Sequence, residues 1–204
     1  MISKWEKFYQ KVASGEIPWH KTQADYLIEV INKGKIKPCS ALDLGCGTGE
    51  ESIFLAKKGF KVTGIDISKT AIKYAKDNTK KAKVKVDFMV ADATDLSFLK
   101  DRKFDFVLDW DNLHGIPKTK RKKYISEIVK HTRKESKLLL RCFSKHEMKK
   151  EFGVAPIGRI YLFSRKDIEK LYGKYFKIIE TNRSKPFFGN PPGKWLDEYL
   201  MERI

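Results

Sequence analysis

The chain has 204 residues, of which 41% are hydrophobic and 34% charged, with a formal net charge of +17. That balance excludes a disordered chain, and no apolar run approaches the ~18–20 residues of a membrane span. The length suits one domain around one core. The charge suits either a polyanionic partner or a solvated lysine-rich surface.

The residues around Met1–Glu6 lack the apolar stretch of a signal peptide, so a cytoplasmic protein is expected. Cys39, Cys46 and Cys142 are scattered, with no C-x-x-C pair and no histidine at ligand spacing. Reduced thiols and no metal site are expected.

In chain order, an amphipathic helix over residues 2–13 carries Trp5, Phe8, Tyr9 and Val12. Gly15–Trp19 breaks it, and a second helix runs from about 23 to 33. A buried strand at Ser40–Leu44 leads through a glycine loop into a helix from Glu50 to Lys58, stopped by Gly59. Lys61–Ile65 is the next strand, and Ser68 caps a helix reaching about Lys80. Strands follow at Val84–Val90 and Phe104–Asp109, then a basic helix from Pro117 to Arg133. Leu138–Phe143 is a fifth strand, Ser164 with Asp167 begins a capped helix, and Tyr175–Thr181 and Leu196–Arg203 complete seven strands. This alternation predicts an α/β fold: a three-layer αβα sandwich, Rossmann-like, with a mostly parallel seven-stranded sheet. We expect one domain over residues 1–204, with a helical lid at 1–36 and the core at 37–204. Ligands of such folds bind at the carboxyl ends of the strands.

Asp43-Leu-Gly45-Cys46-Gly47-Thr-Gly49 follows an apolar strand and begins a helix. Glycines so dense require a tight turn and a close approach to a ligand. A dinucleotide fingerprint has its third glycine five residues after the first. Here the separation is four, and Glu50 follows, where a pyrophosphate would be repelled. Asp43 favours a cationic ligand. Asp66, 17 residues after Gly49, stands where nucleotide folds place a ribose-binding acid. Asp92, flanked by Ala91 and Ala93 beyond the third strand, suits an adenine amino group or a helix cap.

These motifs together resemble the class I S-adenosylmethionine (SAM)-dependent methyltransferases. The resemblance rests on Ala41–Glu50, Val62–Ser68, Ala91–Leu96 and Phe104–Asp109, in the family's order and spacing. It implies SAM as cofactor and S-adenosyl-L-homocysteine as product. The glycine loop (Gly45, Cys46, Gly47, Gly49) would pass the methionine part. Asp66 with Ile67 would hold the ribose, and Asp92 with Ala93 would flank the adenine. Gly15-Glu-Ile-Pro-Trp19 is similar to the branch of thiopurine, thiol and halide, and tellurite-resistance methyltransferases, which implies that Trp19 approaches the cofactor.

Methyl transfer from a sulfonium is an in-line displacement that needs alignment and exclusion of water. The acceptor side is expected after the fourth strand, at Asp109-Trp110-Asp111-Asn112-Leu113-His114. His114 is a candidate general base and substrate contact. Asp109 is a candidate contact to the SAM ammonium or the acceptor, and Trp110 a stacking wall. Arg141 and Arg159 could bind an anionic acceptor, but each is expected as a surface charge. Asn190-Pro-Pro resembles a motif of base-amine methyltransferases, but it stands after the wrong strand and is expected to be a turn.

A small-molecule acceptor, such as a thiol or another soft nucleophile, is the favoured expectation. The alternatives are a tRNA, rRNA or protein acceptor, suggested by the net charge of +17 and the basic cluster over 117–150, which includes Lys118, Lys120, Arg121, Lys122 and Lys123, and SAM binding without transfer.

Overall fold

The computed structural model describes residues 3–12, 17, 24–146, 152–155, 158–185 and 195–204. The motif Gly15–Trp19 is described only at Ile17, so the expected role of Trp19 lies outside the described residues, as does Asn190-Pro-Pro.

Two short helices lead, α1 (Lys4–Lys11) and α2 (Asp25–Asn32). Then β1 (Ser40–Leu44), α3 (Glu50–Lys57), β2 (Lys61–Asp66), α4 (Lys69–Ala82) and β3 (Asp87–Val90) alternate. The second half runs β4 (Phe104–Trp110), α5 (Arg121–Lys130), β5 (Thr132–Phe143), β6 (Phe152–Ala155), β7 (Gly158–Tyr161), α6 (Arg165–Tyr172), β8 (Phe176–Ser184) and β9 (Leu196–Arg203). Seven strands form one sheet in the order β3-β2-β1-β4-β5-β9-β8. The first five are parallel, and β9 is antiparallel to both β5 and β8. The strand order reverses between β1 and β4, which leaves a crevice at their carboxyl ends.

Both faces of the sheet are covered, so its central strands read as near-continuous apolar runs. Leu42, Leu44, Val107, Leu138 and Leu140 pack with Tyr124, Ile128, Ile168 and Tyr172 of α5 and α6. Ala41, Phe106, Leu108 and Leu139 pack with Leu27, Val30 and Leu55 of α2 and α3 on the other face. Single-residue alternation along each strand therefore feeds two separate cores.

Two caps stand where the sequence puts them. Ser68 Oγ accepts from the Ala71 amide at 3.0 Å, and Ser164 with Asp167 makes a reciprocal capping box.

Three elements differ from expectation. The fifth strand begins at Thr132, ending α5 at Lys130 rather than Arg133. The polar run 132–137 is strand because a register shift against β4, with Glu135 at φ +69°, absorbs extra residues. Ser136 Oγ donates to the Phe104 carbonyl across that irregularity at 2.9 Å. The third strand starts only at Asp87, because this edge strand pairs with β2 over four positions. Finally, β6 and β7 form a separate two-stranded hairpin that the periodicity did not reveal.

Candidate active site

After Leu44 the chain turns through Gly45 (φ +72°) and Gly47 (φ +51°), and Gly49 is the N-cap of α3. The Gly45 and Cys46 amides both donate to the Ile65 carbonyl, at 2.8 and 2.9 Å, which folds the loop back on β2. A Cβ at Gly45 would lie 2.6 Å from Asn112 Oδ1, and one at Gly47 2.8 Å from the Tyr9 hydroxyl oxygen. Handedness and close approach both demand glycine at these two positions.

Three buried carboxylates surround this turn. Asp43 takes a 2.6 Å hydrogen bond from Ser52 Oγ, and burial pushes its pKa up to about 8. Asp66, at the end of β2, accepts from the Gly47 amide at 3.0 Å and the Ser68 amide at 2.8 Å. Burial still raises it to about 6, against those two amides. Asp109, fully buried at the end of β4, accepts from Tyr124 Oη at 2.7 Å through one oxygen. Its other oxygen accepts from the Asn112 and Leu113 amides, at 3.1 and 3.0 Å. Burial raises Asp109 to about 7. The raised values reflect burial first: near neutral pH Asp66 is mostly ionised, while Asp43 is mostly protonated and Asp109 divided between its two forms.

Helix α1 crosses the same strand ends. Glu6 accepts from Ser68 Oγ at 2.6 Å and from the Thr70 amide and hydroxyl at 3.2 and 2.8 Å, which pins α1 to the start of α4. Those hydrogen bonds, led by Ser68, hold the Glu6 carboxyl below its ordinary pKa. Tyr9 is buried over Gly47, and Trp5 lies against Gly115 beyond β4. One short helix thus spans from the β2 end to the β4 end.

Ile67 follows Asp66 and is 40% exposed. Asp92 accepts from the Thr94 amide and hydroxyl through Oδ1, at 2.8 and 2.7 Å, and from Lys120 Nζ through Oδ2 at 3.1 Å. It therefore also acts as a local cap. Ala93 beside it is half-buried.

On the acceptor side, Trp110 is buried among the α2 and α3 core residues, and its Nε1 has no hydrogen-bond partner among the described residues. Arg141 corrects an expectation. It is not a surface charge but 4% exposed, stacked on the Trp110 ring at 4.0 Å and paired with Asp111 through both guanidinium branches. Strand β5 pairs with β4 so that Arg141 stands directly opposite Trp110, and only burial in the sheet explains the pairing. Arg159 is exposed, as expected. His114 is 4% exposed, with its ring 4.7 Å from that of Phe143 and its Nδ1 unpartnered among the described residues. Burial, reinforced by the Arg141 and Lys4 charges, pushes its pKa down to about 4, so the imidazole is neutral at pH 7.

The basic run is exposed but partly neutralised, with Lys120 bound to Asp92 and Lys123 to Asp95.

Tyr9, Glu6, Asn112 and Tyr124 were not singled out from the sequence. The helical period put Tyr9 on an apolar face, which reads the same for a core residue as for a lid. Asn112 lies three residues past Asp109, within the expected acceptor segment, but nothing in its identity announces its approach to Gly45.

Residues 41–135 match the family described as a methyltransferase domain. An uncharacterized methyltransferase of Schizosaccharomyces pombe is 33% identical over 117 residues, 57% of this chain and 79% of that protein. The 2-heptyl-1-hydroxyquinolin-4(1H)-one methyltransferase of Mycobacteroides abscessus is 26% identical over 171 residues, 82% of this chain and 72% of that one. The magnesium protoporphyrin IX methyltransferase of Synechocystis PCC 6803, solved with bound S-adenosyl-L-homocysteine, superposes with a TM-score of 0.71 at 24% identity. That superposition covers 98% of this chain and 93% of the other. The glycine turn, the strand-end acids and these likenesses agree: the chain belongs to the SAM-dependent methyltransferase family.

Proposed function

We propose that this methyltransferase acts on a small-molecule acceptor, a thiol or another soft nucleophile, and that residues 1–36 form its lid. The carrying observation is the position of α1, tied to α4 by Glu6, with Tyr9 over Gly47 and Trp5 against Gly115. A helix in that position narrows the approach to the strand ends. The small quinolone substrate in the name of the Mycobacteroides relative supports the same reading.

The residues present fit SAM. The glycine turn folds tightly against Asn112 and Tyr9 at the carboxyl ends of the strands, and Asp66, at about 6, is mostly ionised at neutral pH and favours a cation. SAM supplies a methyl group on a sulfonium whose sulfur leaves neutral and needs no acid. In this reading Gly45, Cys46, Gly47 and Gly49 hold the methionine part, with Trp19 nearby. Asp66 and Ile67 bind the ribose, and Asp92 and Ala93 flank the adenine. Asp43 braces the loop from beneath through Ser52. Asp109 holds the turn after β4 through the Asn112 and Leu113 amides, and so orients His114 towards the acceptor. Trp110 and Arg141 wall that side. The free thiols of Cys39, Cys46 and Cys142 suit a cytoplasmic setting.

The test is transfer from labelled SAM to a panel of small thiols, hydroxy-arenes and metalloid anions, alongside bulk tRNA. Label in a small acceptor is expected. Label only in RNA, with binding that weakens steeply with salt, would replace this reading with the nucleic-acid one.

A further inference from the structure

The lid helix and the turn after β4 bring together groups that neither the fold nor cofactor binding requires. Trp5 packs on Gly115, where a Cβ would meet its Cζ2 at 3.6 Å. The Lys4 ammonium stands 5.8 Å from the Trp5 ring centre and has no carboxylate partner among the described residues. The His114 ring leans on Phe143 at 55°, with Nδ1 buried and unpartnered among the described residues. Phe143 itself packs with Ile160 of β7. Aromatic walls, one ammonium and one orphaned imidazole nitrogen therefore meet beside the end of β4. A buried polar atom without a partner costs free energy, and a ligand atom that hydrogen-bonds to it recovers part of that cost.

We propose that this is the acceptor site and that it takes a flat aromatic acid already ionised near neutral pH, an acidic hydroxyl or thiol, with its anionic atom facing Lys4 and His114. The inference rests on the methyltransferase reading above and adds the class of acceptor.

The surrounding carboxylates support it. Both oxygens of Asp109 are committed, to Tyr124 and to two amides, and Asp111 is paired with Arg141. His114 feels Asp111, Arg141 and Lys4, and burial dominates, leaving it a weak base of pKa about 4. Proton transfer to it from a hydroxyl of pKa ~10 is disfavoured by about a million-fold. An acceptor that arrives ionised avoids that step. Burial lowers the Lys4 pKa, opposed by the Tyr161 phenol that faces it from β7, and an anionic acceptor would favour its charged form. In the transfer, a lone pair of the acceptor anion forms the bond to the methyl carbon. The carbon–sulfur bond breaks with its electrons passing to sulfur. The acceptor becomes a neutral ether or thioether, and no proton is released.

The experiment compares 4-nitrophenol, phenol, benzyl alcohol and aniline as acceptors of labelled methyl across pH. The proposal expects transfer to 4-nitrophenol near neutral pH. It expects the alkaline rise in rate to move to higher pH for phenol, following the acceptor's own ionisation, with benzyl alcohol and aniline at least ~10-fold poorer. Lys4→Met should raise KM for 4-nitrophenol roughly 5-fold, the scale of one exposed ion pair. His114→Ala should reduce transfer, and His114→Gln should recover part of it. A pH limb that stays fixed when the acceptor changes, an amine preferred over a phenolate, or an unaltered KM in Lys4→Met overturns the proposal. So does a failure of 4-nitrophenolate to bind the S-adenosyl-L-homocysteine complex. Calorimetric binding of that cofactor product separates the two levels: if it persists, only the acceptor assignment falls, and if it is absent, the methyltransferase reading falls with it.

Discussion

The Gly47 amide and Asp66 Oδ2 are joined at 3.0 Å, a single hydrogen bond that ties the ends of the first two strands together. The other Asp66 oxygen takes the Ser68 amide, so one carboxylate sets the shape of both loops. Asp66→Ala should weaken calorimetric binding of S-adenosyl-L-homocysteine by about 10- to 100-fold, the scale of charged hydrogen bonds lost together. Wild-type affinity in that variant would refute a ribose role.

The same buried acids set a pH dependence. Asp43, Asp66 and Asp109 stand at about 8, 6 and 7, all above the ~3.9 of an unfolded chain. A carboxyl with a raised folded pKa binds more protons when folded, so its stabilising effect is full at low pH and is lost as pH rises through the folded value. His114, lowered to about 4, acts in the opposite sense, and its effect is complete above its ordinary 6.5. From pH 6.5 to 8, Asp43, Asp109 and Glu50, which burial also raises to about 7, therefore dominate. The melting midpoint of the free protein should fall by a few degrees over that interval, on the order of 1 kcal/mol. Calorimetric melts that rise with pH there would contradict the assignment. SAM, as a cation, should flatten the fall.

Glu6 fastens α1 through Ser68 and Thr70. Glu6→Ala removes three acceptor contacts at the surface of the core, so the global midpoint should change little. Amide exchange in residues 4–11 should accelerate, and S-adenosyl-L-homocysteine should dissociate faster, each by about 3- to 10-fold for ~1 kcal/mol lost. Unaltered exchange in α1 would show that Glu6 is not its fastener.

Tyr124→Phe leaves Asp109 Oδ2 buried without its donor. The cost is about 1–3 kcal/mol of unfolding free energy by denaturant titration, because the carboxylate stays desolvated. Turnover should also fall, since Asp109 holds the Asn112–His114 turn. A variant as stable as the parent would mean that water reaches Asp109.

Gly45→Ala meets two penalties, a left-handed φ of +72° and the Asn112 side chain 2.6 Å from the new Cβ. A loss of about 2 kcal/mol in stability is expected, chiefly from the backbone. The paired change Gly45→Ala with Asn112→Ala should relieve only the steric part. Full recovery in the double variant would show that backbone strain is negligible.

Much of this molecule is legible in the order of its residues. Ser40–Leu44 and Leu196–Arg203 stand where alternation and apolar runs put them, as do the Ser68 and Ser164 caps, because these signals depend on neighbours within a few residues. The glycine spacing, with Glu50 after it, already argued against a pyrophosphate. What failed was non-local. The run 132–137 looks polar yet forms strand, since its hydrogen bonds come from β4, some 30 residues earlier. Arg141 reads as a surface charge until β4 sets Trp110 and Asp111 beside it.

Local pattern alone thus determined the element order (apart from the β6–β7 hairpin), the turn after β1 and the strand-end acids, because each depends on backbone conformation and a side-chain period of two or 3.6. Tertiary packing decided that Glu6 meets Ser68, that Asn112 meets Gly45, and that His114 is buried and neutral. Those outcomes depend on which distant segments exclude water from one another, and burial is a property of the assembled chain that no single stretch of it carries.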